Sequence, residues 1–165
     1  MISKKIQDAL NSQIALEQYS AQLYLAMSAY CEGKSFRGFA HWLNIQSQEE
    51  TAHAMKLVSF LLDRGGRLEL GEIAAPPSEY GTLTQLFEKI LDHEKRVTSM
   101  ISALFELSRV EKDYASEITL QWYVTEQVEE EANIGRILDQ LHAVGEQGGG
   151  VWYLDSKMGK RELSK

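Results

Sequence analysis

The chain has few of the residues that crosslink a fold or interrupt its helices. Its single cysteine, Cys31, excludes an intrachain disulfide and favours a reducing compartment, so a cytoplasmic location is expected. Its two prolines are adjacent, Pro76 and Pro77, and leave long stretches free to form helix. No apolar run has the length of a membrane span, and the N-terminus has no hydrophobic signal core. We therefore expect no membrane partner.

Positive charge is scarce too. The chain has 17 Lys and Arg residues against 24 Asp and Glu residues, which gives a net charge of -7. An acidic surface attracts cations and repels phosphate, so nucleic acid is not an expected partner. With 44% hydrophobic and 25% charged residues, the composition is that of an ordinary globular protein. The 165 residues are most simply one domain, residues 1–165.

Helical periodicity, with apolar residues at spacings of three and four, dominates the chain. The four long segments that show it are residues 5–32, 35–63, 82–109 and 113–143. The first and last pairs have short connections, which favour antiparallel neighbours. The irregular, glycine-containing crossover 64–81 is long enough to run back along a helix of about 28 residues, or ~42 Å. With a short helix expected at 150–160, the sequence predicts an all-α four-helix bundle with one long crossover and a fifth C-terminal helix.

Glutamates interrupt the apolar stripe of every long helix near its midpoint. In an aligned bundle these four residues converge at one level: Glu17, Glu50, Glu94 and Glu130. Glu50 also begins an E-x-x-H motif that ends at His53. Buried carboxylates without a partner are costly, and no Lys or Arg lies in the central part of any stripe, so the cluster requires cations. Two divalent ions balance four carboxylates, and this ligand set suits iron or manganese better than structural zinc.

With these motifs the chain resembles the bacterial non-haem ferritins over essentially its full length. The resemblance implies two iron sites bridged by Glu50, with the ligands and neighbours Glu17, Glu50, His53, Glu94, Gln127 and Glu130. It further implies that Tyr24 supplies an electron from beside this centre. A third iron site is implied as well, formed by Glu49, Glu126 and Glu129, with Glu130 shared.

The fold and function implied by the resemblance are those of a ferritin-like bundle that stores iron. Such a protein binds Fe(II), oxidises it with O₂ or peroxide, and keeps Fe(III) as a hydrous oxide mineral inside a cage of 24 identical subunits. Haem is not expected, because Thr51 stands where a bacterioferritin has its haem-ligating methionine. A rubrerythrin is excluded, since a single cysteine cannot form a rubredoxin site.

Two other functions are compatible with the residues alone. The carboxylates could hold ions without oxygen chemistry, as in a metal buffer or scaffold. Iron-dependent O₂ consumption distinguishes such a protein from a ferroxidase. A di-iron oxygenase with an organic substrate needs a cavity. The large inward-facing side chains of Phe39 and Phe87 argue against such a cavity. Without the resemblance, the acidic run 126–131 also fits a solvated helix face, and Tyr24 also fits core packing.

Overall fold

The computed structural model describes residues 2–163, which form five α-helices and no β-strand. The helices are α1 Lys4–Gly33, α2 Arg37–Asp63, α3 Leu83–Val110, α4 Tyr114–Val144 and α5 Gly149–Met158. α1 packs along α2, and α3 packs along α4, while α5 lies mainly against α2. The predicted fold class, an all-α four-helix bundle with one long crossover and a short fifth helix, is confirmed. Within residues 2–163, none of the helices combines the length and apolarity that a membrane crossing requires.

Side chains cap the start of three of the long helices. Ser3 and Asp113 each accept a hydrogen bond from the backbone amide three residues later, at 3.3 and 3.1 Å respectively. Thr82 and Gln85 form a reciprocal capping box at the start of α3. Each such cap contributes about 1 kcal/mol to helix stability. These caps explain why α1, α3 and α4 begin where they do.

The long crossover between α2 and α3 lies against α1. At its beginning, Asn11 Nδ2 donates to the carbonyl of Arg67 at 2.9 Å, and Asn11 Oδ1 accepts from the amide of Glu69 at 2.9 Å. At its end, the Tyr30 hydroxyl donates to the carbonyl of Gly81 at 2.8 Å and accepts from its amide at 3.0 Å. The crossover therefore follows α1 from near its start to near its end, and this places α3 parallel to α2.

The apolar core is divided into two clusters. One contains Tyr24, Phe39, Leu43, Phe87, Ile90 and Ile134, and the other contains Ile6, Leu10, Leu57, Ile101 and Leu120. On every long helix the residues between the two clusters are polar and buried: Gln13, Glu17, Ser20, Gln46, Glu50, His53, His93, Glu94, Gln127 and Glu130. The bundle thus holds a polar layer at mid-height, sealed above and below by hydrophobic packing.

The start of α2 is capped by α5. Phe36 precedes α2 and makes no side-chain cap, but Asp155 Oδ1 accepts from the amide of Phe39 at 2.9 Å. Gly38 permits this close approach, because a Cβ at that position would lie 1.6 Å from the carbonyl oxygen of Asp155. Trp152 of α5 stacks on Phe36, with ring centroids 4.9 Å apart. The C-terminal helix is therefore anchored at the start of α2.

We expect Gly38→Ala to lower the free energy of unfolding by about 1 to 3 kcal/mol, because the methyl group forces α5 away from α2. Urea unfolding followed by circular dichroism measures the change. Gly33→Ala is the matched control: it also lies in a helix, and its added Cβ meets no atom within 4 Å. That variant should be at least as stable as the parent, since alanine favours helix over glycine. Equal stability of the two variants would contradict this account of the packing.

Candidate metal centre

Three of the predicted ligands lie together at the centre of the polar layer. Ligand atoms of Glu17, Glu50 and His53 are all within 4.8 Å of one another, and all three side chains are buried. Glu50 and His53 are one turn apart on α2, and His53 Nδ1 lies 3.4 Å from Glu50 Oε2. Among residues 2–163, this is the one group of three or more His, Cys, Asp and Glu side chains whose ligand atoms approach so closely.

Glu94 completes the layer from α3 and is held by two hydrogen bonds. The Tyr24 hydroxyl donates to Glu94 Oε1, and Gln127 Nε2 donates to Glu94 Oε2 at 3.0 Å. Tyr24 is fully buried, so its hydroxyl needs a partner, and Glu94 provides it. Glu130 of α4 is also buried, with 4% of its surface exposed. All four predicted glutamates therefore point into the same layer.

Two glutamines orient the carboxylates, a role that was not predicted from the sequence. Gln13 Nε2 donates to Glu17 Oε1 at 2.6 Å, and Gln46 Nε2 donates to Glu50 Oε1 at 3.3 Å. The signal was present in the sequence, because each glutamine lies four residues before its glutamate on the same helix face. The Oε1 atoms of both amides are buried and accept no hydrogen bond from any residue that the structure describes. These buried amide oxygens therefore keep lone pairs that a cation can use, which is consistent with a metal-binding layer.

Burial makes the layer unfavourable for unpaired negative charge. Desolvation, followed by repulsion from Glu50, raises the pKa of Glu17 well above its usual value. Desolvation and the charge of Glu94 raise the pKa of Glu50 well above its usual value and that of Glu130 to about 7. Without cations these carboxyl groups retain protons, and cations that bind in the layer must displace them.

The stability of the metal-free protein should fall as pH rises from 5 to 7.5. Glu130 has a folded pKa of about 7 against an ordinary value of 4.5, so over that window the folded state binds more protons than the unfolded chain. The shift corresponds to about 3 kcal/mol. Urea unfolding in the presence of a chelator measures this slope. Glu130→Gln should flatten it, and a metal-free parent that is more stable at pH 7.5 than at pH 5 would contradict the prediction.

The predicted third site is not assembled in the same way. Glu49 forms an ion pair with Arg161, and Glu126 Oε1 lies 4.0 Å from His53 Nε2. Glu129 is exposed on α4. The structure therefore brings Glu126 to the edge of the layer but ties Glu49 to another group, and the third site stays a prediction.

An aromatic wall that was not predicted covers the side of the layer next to His53. The rings of His53 and Trp122 meet edge to face, with centroids 5.2 Å apart, and Lys56 Nζ lies 3.3 Å from the centroid of the Trp122 ring. The Tyr123 hydroxyl donates to the carbonyl of His53 at 2.8 Å. The Trp122 ring packs against the imidazole, the Tyr123 bond holds the backbone of His53, and Lys56 lies over the outer aromatic ring.

Known proteins resemble this chain along its whole length. A family model described as a ferritin-like domain matches residues 7–144. The bacterial non-heme ferritin of Bacteroides fragilis (strain 638R) is 41% identical over 161 residues, which cover 98% of this chain and 100% of that protein. The bacterial non-heme ferritin of Campylobacter jejuni is 38% identical over 165 residues, or 100% and 99% of the two chains. An open pore ferritin from the archaeon Archaeoglobus fulgidus matches with a TM-score of 0.97 and 43% identity, over 98% of this chain and 100% of its own.

Proposed function

This chain belongs to the iron-storing ferritin family, and from this premise we propose that it is a ferroxidase as well as a store. Two Fe(II) ions bind as substrate in the polar layer, between Glu17, Glu50 and His53 on one side and Glu94 and Glu130 on the other. O₂ or peroxide oxidises them, and Fe(III) is stored as a hydrous oxide mineral. The observation that carries the proposal is a sealed layer of four buried glutamates at one level of the bundle.

Charge balance supports two divalent ions as the substrate. Four carboxylates carry four negative charges, which two Fe(II) ions neutralise while His53 contributes a neutral nitrogen ligand. Oxidation removes two electrons from the pair. These electrons reduce O₂ with two protons to hydrogen peroxide, or peroxide with two protons to water. The two extra positive charges that remain are balanced by hydroxide from water, and the released protons leave the site.

The surrounding side chains hold the carboxylates and leave the product weakly bound. Gln13 and Gln46 orient Glu17 and Glu50, while Tyr24 binds one oxygen of Glu94. Gln127 binds the other oxygen of Glu94, at a position where a symmetric centre would have a stronger ligand. We infer that this lopsided set releases Fe(III) readily, as a store requires. We further propose that Tyr24, which is hydrogen-bonded to Glu94, supplies an electron to the centre.

Assembly into a cage of 24 subunits is the second part of the proposal. Large apolar side chains are exposed on the outer faces of α3, α4 and α5: Val110, Tyr114, Ile118, Val128, Trp152 and Tyr153. We infer that these side chains become buried between subunits, because exposed apolar patches mark protein interfaces. A cage of 24 copies of an 18.7 kDa chain has a mass of about 450 kDa. Native mass spectrometry should find that mass, and a monomer or dimer would contradict the cage.

Oxygen uptake separates a ferroxidase from a passive metal-binding bundle. When Fe(II) is added to the metal-free protein in air-saturated buffer, we expect O₂ consumption far faster than in protein-free buffer. Zn(II) added beforehand should suppress the uptake, because zinc occupies the same ligands and has no redox chemistry. Binding of Fe(II) with O₂ uptake no faster than in buffer would favour the passive bundle and contradict the proposal.

A further inference from the structure

The segment that follows α5 returns to α2 beside the candidate metal centre and places a partly buried arginine there. The Arg161 guanidinium forms an ion pair with Glu49, and its Nη1 donates to the carbonyl of Trp42 at 3.4 Å. The guanidinium carbon lies 4.3 Å from the centroid of the Trp42 ring, and the Arg161 carbonyl is 2.8 Å from His41 Nε2. Only 19% of the Arg161 side chain and 12% of the Glu49 side chain are exposed. Arg161 is thus held from several directions.

Arg161 is paired with Glu49, the carboxylate next to the proposed bridging ligand of the metal centre. Glu49 directly precedes Glu50 and is the α2 member of the predicted third site. The Arg161 guanidinium engages Oε2 of Glu49, so a metal ion can use that oxygen only by displacing the arginine. The positive charge of Arg161 also repels a cation that approaches the same carboxylate. A partly buried Glu49 with no counter-charge would also be costly in the metal-free protein. In the metal-free protein, Arg161 supplies the counter-charge of Glu49.

We propose that Arg161 is an internal counter-cation that competes with a third metal ion for Glu49. This inference rests on the proposed function, since a third ion matters only in a protein that handles iron. Competition makes the third site weaker than the two-ion centre, so the centre fills first and the third site fills only at higher metal concentration. The coupling is reciprocal: the third ion releases Arg161, and with it the tie between the C-terminal segment and α2.

Zinc titration of the assembled full-length protein tests the competition without oxidation. Isothermal titration calorimetry with Zn(II) at pH 7 should give two tight equivalents per subunit in both the parent and Arg161→Gln. The affinity for a third equivalent should rise about tenfold in Arg161→Gln, because a charged hydrogen bond no longer has to be broken. Arg161→Lys keeps the positive charge and should behave more like the parent.

Two further variants separate competition from a merely structural anchor. Arg136→Gln removes the same charge from α4, where Arg136 bonds to the amide oxygen of Asn133, and it should leave the third affinity unchanged. In a Glu49→Gln background, Arg161→Gln should have no effect on zinc binding, because the shared carboxylate is gone. Hydrogen exchange of the amides in residues 159–163 should quicken when the parent binds its third zinc ion.

The outcomes are distinct. A third affinity that is equal or lower in Arg161→Gln, no third zinc ion in either protein, or an effect that persists in the Glu49→Gln background would overturn the competition. Exchange at residues 159–163 that is insensitive to zinc would overturn it as well. If the parent lacks even the two tight equivalents, the proposed function itself fails, and that result is recognisable before any variant is compared.

Discussion

Replacing Glu50 by alanine is expected to lower the rate of Fe(II) oxidation by at least about 100-fold, because this carboxylate is the proposed bridge between the two iron positions. Glu50 lies with Glu17 and His53 in the one close group of candidate ligands among residues 2–163, and Gln46 orients it. Without the bridge, two electrons cannot leave a coupled pair of ions. Stopped-flow absorbance of Fe(III) after mixing with O₂ measures the rate.

The matched control for this experiment is Glu88→Ala. Glu88 is also a glutamate within a long helix, but it is exposed on α3. This variant replaces one helical glutamate by alanine, as Glu50→Ala does, and should keep the parent rate. A fast rate in Glu50→Ala, or an equal loss in both variants, would show that the polar layer is not where oxidation occurs.

Replacing Glu130 by alanine is expected to reduce the tightly bound metal from two ions per subunit to one. Glu130 is the α4 carboxylate of the layer, buried to 4% exposure, and with Glu94 it is the proposed ligand of the second ion. Fast Fe(II) oxidation should fall with it by at least about 100-fold, since one ion supplies only one electron. Zinc titration counts the ions, and stopped-flow absorbance gives the rate.

Glu129→Ala provides a comparison within the same helix. Glu129 is the neighbour of Glu130 but is exposed, so it faces away from the layer. We expect Glu129→Ala to keep two tight ions and fast oxidation, with any change confined to a third ion. If the two variants lose metal and rate equally, burial in the layer is not what defines the centre.

The polar layer could be predicted because the inward-facing positions of a helix recur at regular spacings along the sequence. Apolar residues at spacings of three and four fix which face of each helix points inward, and Glu17 and Glu94 interrupt that face at the same depth. The structure places both within the polar layer between the two hydrophobic clusters. The fold class followed from the same pattern together with the length of the crossover, which reaches the far end of the bundle along α1.

The hydrogen bonds within the layer were only partly predictable. Gln13 and Gln46 lie one turn before Glu17 and Glu50, and that spacing alone allows each amide to reach its carboxylate. The bond from Gln127 to Glu94 joins two helices, and it depends on how α3 and α4 are rotated against each other. The residue pattern of a single helix gives no information about that rotation.

The pairing of Arg161 with Glu49 was out of reach of sequence reasoning. The two residues are 112 positions apart, and Arg161 follows the last helix, where no stripe indicates which way a side chain points. Its place depends on how α5 docks, through the cap that Asp155 gives α2 and through the absence of a side chain at Gly38. Contacts of this kind are set by tertiary packing and not by local pattern.

The central claim is that two iron ions bind side by side in the glutamate layer, and anomalous scattering from an iron-soaked crystal tests it most directly. We expect two iron peaks per subunit, about 3.5 to 4 Å apart, bridged by Glu50, with one near Glu17 and His53 and the other near Glu94 and Glu130. A single peak in the layer, or iron bound only at the exposed carboxylates of α4, would contradict it.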